Sequence, residues 1–248
     1  MQTIGDGTWG PDAIQDRRWR RVVADVADRQ RPMPSRIKSA RKILRDGNDL
    51  LCCVFFNICR IELPNQPFTP AHPFAPVLGA MRFRALRILG RPSKLQRRDY
   101  LEATAILPWV IKPRDTEILA RFLIDPKTSV AELTSVLDAF LRIVDGLPMD
   151  ERILNATVNR AQDVALPAPI HERLSQILQR WEGPRRSAVL RGLAERAVSL
   201  GQRWPYLRAF AQVAPDEGRA VLEEILNDGG ALDVWWTETI HAVLSPES

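Results

Sequence analysis

Cations gather at three places in the first hundred residues. Arg17, Arg18, Arg20 and Arg21 bracket Trp19. Lys38, Arg41, Lys42 and Arg45 recur at helical spacing, and Arg82, Arg84, Arg87, Arg91, Lys94, Arg97 and Arg98 follow further on. The chemistry open to such clusters is the holding of a polyanion. A guanidinium presents a planar fork of donors that suits phosphate or carboxylate. Clustered charge is nearly all that backbone binding requires. The candidate phosphate-binding residues are Arg17, Arg18, Arg20, Arg21, Lys38, Arg41, Lys42, Arg45, Arg84 and Arg87. No recognition-helix or RNA-binding signature accompanies them, so the expected contacts are to backbone rather than to base edges. The competing reading is a solvated face, or ion pairs within the chain: Arg21 and Asp25 stand one helical turn apart.

The charge distribution favours neither reading outright. Residues 1–100 hold 19 Lys and Arg against 9 Asp and Glu, a net of +10, whereas residues 101–248 hold 16 against 21, a net of −5. Arginine supplies 30 of the 35 cations. A genome rich in G and C, whose codons favour arginine, is the plainer reading of arginine over lysine, but it does not explain the asymmetry between the two parts.

Motifs for catalysis do not survive their structural requirements. Gly5-Asp-Gly7-Thr-Trp-Gly10 matches G-x-G-x-x-G, yet only four residues precede it and no βαβ pattern follows. His171-Glu172 begins like a zinc-protease helix, but Ser175 stands where the second histidine belongs. The other histidines are His72 and His241. Cys52, Cys53 and Cys59 lack the C-x-x-C spacing and fall in an apolar stretch, as small core thiols do. Phosphate loops and nucleophile elbows are missing. Asp150-Glu151 and Asp216-Glu217 follow prolines and suit helix N-termini. No catalytic, cofactor-binding or metal-ligating residue is assigned, and the expectation is a protein that is not an enzyme and carries no cofactor.

Trp235-Trp236 is the other feature with interface character. Adjacent residues on a helix point about 100° apart, so both rings cannot enter one core, and tryptophan is enriched in binding hot spots. Trp235 and Trp236 are therefore the candidate protein interface, toward a protein partner or a second copy.

The elements that must position these residues read as helices. A first runs from Asp12 to about Gln30, with Trp19, Val22, Val23 and Val26 as its buried stripe. A second spans Ser35 to Asp46, burying Ile37, Ala40, Ile43 and Leu44. A third, Asp49 to Glu62, is apolar nearly all round and should be central. Pro64, Pro67, Pro70, Pro73 and Pro76 then mark an extended connector that Phe68 and Phe74 anchor at the surface.

Beyond it a repeat emerges. Pro76, Pro113, Pro148, Pro184 and Pro215 each open a helix, at intervals of 37, 35, 36 and 31 residues. Ile118-Leu119, Ile153-Leu154 and Val189-Leu190 sit five and six residues after their prolines, Met81 stands fifth after Pro76, and Val221-Leu222 comes one place late after Pro215. Each unit reads as proline, helix, turn, helix, stop. The fold expected is all-α: a helical-hairpin repeat array, an α-solenoid of HEAT-like repeat length, with a basic N-terminal helical unit. An irregular helical bundle is the alternative. Tetratricopeptide and ankyrin consensus residues are absent. The expected division is a basic unit over 1–63, a connector over 64–76 and the array over 77–248.

The N-terminus is neither basic nor apolar, and the longest apolar stretch, Leu50 to Ile58, is too short to span a bilayer. A cytoplasmic protein with no membrane partner is expected. Two functions follow: a non-enzymatic scaffold or adaptor that binds a macromolecular partner through its array, or a nucleic-acid-binding subunit that holds phosphates with its basic first hundred residues.

Overall fold

Amphipathic spacing does become helix throughout. The computed structural model describes residues 14–62, 72–90, 97–145, 151–197, 199–227 and 234–245. Among the described residues there are fourteen α-helices, two short 3-10 turns and no strand. The chain divides into two compact units, Met1–Leu119 and Ala120–Ser248. Most of the expected connector, 63–71, lies outside the described residues, as do the G-x-G-x-x-G match and Pro148.

The first unit contains α1 (Arg17–Ala27), α2 (Met33–Asp46), α3 (Asp49–Glu62), α4 (Leu78–Leu89), α5 (Arg97–Ala105) and α6 (Leu107–Val110). Asp16 starts α1 by accepting from the backbone N–H of Arg18 at 2.8 Å and of Trp19 at 3.4 Å. Asn48 does the same for Leu51 at the start of α3, at 2.9 Å. Because α3 has no polar face, it can be stable only when covered, and it packs against α1, α2, α4 and α5. Leu51, Cys52, Cys53, Val54, Phe55, Phe56 and Cys59 are all buried. Burial pushes the Cys52 thiol up to about 11 and holds the Cys59 thiol well above its usual range, so neither forms a thiolate at neutral pH.

The end of the connector is not a surface anchor. Phe74 is fully buried, edge-on to Phe55 with centroids 5.3 Å apart, and the Arg36 guanidinium lies 5.2 Å from its ring centre. Truncating such an aromatic costs about 3–5 kcal/mol.

The division between the units falls within α7 (Thr116–Ile124). The second unit continues with α8 (Val130–Ile143), α9 (Glu151–Ala161), α10 (Ala168–Arg180), α11 (Arg186–Arg196), α12 (Leu200–Val213), α13 (Pro215–Asn227) and α14 (Val234–Leu244). Pro76 and Pro113 lie in 3-10 turns that lead into α4 and α7, Pro184 lies just before α11, and Pro215 is the first residue of α13. Met81, Leu119, Leu154, Leu190 and Leu222, five to seven residues after their prolines, are buried, whereas Ile118, Val189 and Val221 of the expected pairs are only half-buried. Ser129 and Glu132 form the expected capping box on α8.

Within the second unit α10 packs against both α8 and α12, while α11 and α13 pack on α12, and α14 on α13. The close approach of α13 to α12 needs Gly218, since a Cβ there would stand 2.3 Å from the Ala211 Cα.

Side-chain bonds between these helices recur at nearly constant separation in sequence. Arg173 meets Asp138 35 residues back, Arg180 meets Asp145 35 back, Arg185 meets Glu151 34 back and Arg208 meets Glu172 36 back. His171 Nδ1 and the Tyr206 hydroxyl, 35 apart in sequence, lie 2.9 Å from one another. Desolvation holds His171 below its usual pKa, and it raises Tyr206. The residues that imitate a zinc-protease helix, His171 and Glu172, are thus occupied in helix-to-helix bonds.

Among the described residues three arginines are buried, and they share one task. Arg36 donates to the Val26 carbonyl at 2.8 Å, Arg84 to the Leu44 and Arg45 carbonyls, and Arg160 to the Leu123 and Asp125 carbonyls. Each group of acceptors lies at the C-terminal end of an earlier helix. Those carbonyls have no partner within their own helix, and the helix dipole favours a cation there. Part of the arginine content therefore serves internal capping.

Candidate polyanion-binding groove

Groove geometry follows from the α1–α2 hairpin. The helices run antiparallel, joined by the turn at Asp28–Pro32, and bury Val22, Val23 and Val26 against Ala40, Ile43 and Leu44. Registers set by that burial leave the opposite faces outward. Between them lies an open groove of about 960 Å³ lined by Arg17, Arg18 and Arg21 from α1 and by Lys38, Arg41, Lys42 and Arg45 from α2. The lining runs from Arg17 to Asp25 on one wall and from Pro34 to Arg45 on the other. At the α-helical rise these walls are about 12 and 16 Å long.

The groove holds one carboxylate, Asp25, which is paired with Arg31 at 3.0 Å rather than with Arg21. Arg45 binds the neighbouring Asp46 through both carboxylate oxygens at 2.9 Å, which lowers the Asp46 pKa and raises its own. Lys42 stands 5.9 Å over the Trp19 ring. Among the described residues, Arg17, Arg18, Arg21, Lys38 and Arg41 form neither an ion pair nor a side-chain hydrogen bond. Five like charges are thus held side by side at the surface, and an anion entering between them relieves their mutual repulsion.

Of the ten candidate phosphate-binding residues, seven line this groove. Arg20, exposed, turns away and donates to the Ile14 carbonyl at 3.1 and 3.0 Å. Arg84 is buried on the end of α2, as described above, and so presents no face to a ligand. Arg87 is exposed on α4, outside the groove lining. Arg91 and Lys94 lie outside the described residues. The signal that would have separated Arg84 from Arg87 is the run of apolar neighbours: Met81, Ala85 and Ile88 flank position 84 on the buried face of α4.

The Trp235 and Trp236 rings pack edge-on to one another, with centroids 4.5 Å apart. Trp236 is half-buried and meets Trp204 edge-on, with centroids 5.6 Å apart. Trp235 is 58% exposed beside Val234 at 73%.

Among the described residues no three His, Cys, Asp or Glu side chains converge to hold a metal ion, and no helix is long and apolar enough to cross a membrane. The chain matches no protein-family model, no curated protein and no solved structure.

Proposed function

We propose that this protein is a non-enzymatic, helical-repeat, nucleic-acid-binding protein whose α1–α2 groove holds the phosphate backbone. One observation carries the reading. Arg17, Arg18, Arg21, Lys38 and Arg41 share one groove and, among the described residues, form no ion pair, whereas Arg173, Arg180, Arg185 and Arg208 of the second unit stand opposite carboxylates. A folded protein gains nothing from unpaired like charges at close range; a polyanion supplies the missing countercharge. Contacts of this kind position a backbone and do not read sequence.

The second unit is the scaffold in this reading. Bonds that recur every 34–36 residues, and a buried apolar position at each repeat, support a stacked array of helical hairpins. The deciding experiment is fluorescence anisotropy of a labelled oligonucleotide at two salt concentrations. Binding that weakens steeply with salt supports the reading, and no binding at either salt removes it.

A second reading, a protein partner or second copy docked on α14, is favoured by the exposed Val234 and Trp235. Trp235→Ala should then weaken that association. A wild-type protein that is monomeric by light scattering and captures no partner removes this reading.

A further inference from the structure

An aromatic ring is exposed on the helix that docks on the C-terminal end of α2. Phe83 is 64% exposed on α4. Such exposure of a phenylalanine has no role in the core, which α4 meets through Met81, Ala85 and Ile88. The next residue, Arg84, fixes the location. Its guanidinium donates to the Leu44 carbonyl and, at 2.7 Å, to the Arg45 carbonyl, which locks α4 onto the last turn of α2. That last turn is also the end of the groove, where Arg41, Lys42 and Arg45 stand. Arg87 is exposed one helical turn beyond Phe83 and adds a cation next to the ring.

We infer that Phe83 is a stacking platform for an unpaired base, and that the ligand of the groove is a single strand rather than a duplex. The inference rests on the polyanion reading above. In a duplex the base faces are covered by their neighbours, so an aromatic side chain on a surface helix finds only edges and backbone. In a single strand the faces are free, and an aromatic beside a cationic groove takes one of them regardless of sequence. The groove itself is lined by no aromatic residue, so phosphates lie within it and the bases point out. Trp19 is half-buried under Lys42, so the exposed Phe83 is the platform open to an emerging base.

The test uses the full chain, with a labelled oligo-dT strand, a random-sequence duplex of equal length and heparin as probes, for wild type and Phe83→Ala. Exposure of the ring means that the variant should fold, which its circular dichroism and thermal midpoint check. The expected result is tighter binding of the single strand than of the duplex, with Phe83→Ala weakening the single strand at least fivefold and leaving duplex and heparin unchanged. Duplex binding as tight as single-strand binding, or a Phe83→Ala protein that binds the single strand like wild type, overturns this inference and leaves the groove reading intact. Binding of none of the three probes overturns the groove reading itself.

Discussion

The α1–α2 groove and the helix-to-helix contacts of the second unit use arginine differently. In the second unit Arg173 faces Asp138, Arg180 faces Asp145, Arg185 faces Glu151 and Arg208 faces Glu172, each 34–36 residues away in sequence. In the α1–α2 groove the walls carry seven cations, and the one carboxylate among them is already bound to Arg31. Net charge alone does not express this contrast. An arginine with a partner has its countercharge within the fold, and one without must find it in solution. Where the two units agree is in the buried arginines: Arg84 and Arg160 perform the same helix-end capping in each.

The largest expected effect comes from breaking that contrast in the groove. Lys38→Glu, Arg41→Glu, Lys42→Glu and Arg45→Glu together should weaken oligonucleotide binding roughly 10²–10³-fold near 0.1 M salt, with the log–log salt slope shallower by about 3 for a single strand. Helicity should persist, because Ala40, Ile43 and Leu44 keep the buried side. The matching reversal of Arg173, Arg180, Arg185 and Arg208 should leave affinity unchanged and lower thermal stability, since each new glutamate would face an acid. Equal loss of binding from both sets would erase the contrast.

Next in size are the buried caps. Arg160→Met strips the Leu123 and Asp125 carbonyls of their donor and should cost about 2–4 kcal/mol in denaturant unfolding. Arg84→Met should cost a similar amount, with no change in salt slope once the protein is folded. A slope that falls with Arg84→Met would return Arg84 to the phosphate-binding set.

Each unit also buries a histidine, and these sharpen the comparison through pH. The Phe74 backbone N–H donates to His72 Nδ1 at 3.0 Å, and burial pulls the His72 pKa down from 6.5 to about 4. Between those values the unfolded chain binds the extra proton and the folded chain does not. Stability from His72 is therefore complete above pH 6.5 and is lost as pH falls toward 4, by about 1–3 kcal/mol. Urea unfolding across that range should show the loss, and His72→Gln should flatten it. His171, also lowered by burial, acts in the same direction in the second unit.

The smallest effect belongs to the paired surface arginines taken singly. Arg173→Ala, losing the 2.6 Å contact with Asp138, should cost less than about 1 kcal/mol, because the pair is partly solvated. A larger loss by thermal melting would mean that the pairs act as a coupled network.

What the sequence determined by itself was local. Spacing of apolar residues over one or two turns gave the limits of α3 as Asp49–Glu62 and the end of α2 at Asp46, and S-x-x-E marked the start of α8. The same locality made Met81, Leu119, Leu154, Leu190 and Leu222 legible as buried, though Ile118, Val189 and Val221 beside them are only half-buried. The α1–α2 stripes could be read too, and with them the outward face that carries Lys38, Arg41 and Arg45. What the tertiary structure alone decided was which charges meet. Arg84 and Arg87 are the same residue type one turn apart; apolar neighbours place Arg84 on the buried face of α4, but only the docking of the α2 end supplies the carbonyls that it caps. Arg21 and Asp25 are correctly spaced to pair, yet the turn after α1 brings Arg31 to Asp25 instead. A helix fixes its own periodicity through bonds four residues long, but a long charged side chain answers to whichever acceptor the fold brings within reach, and that acceptor lies far away in sequence.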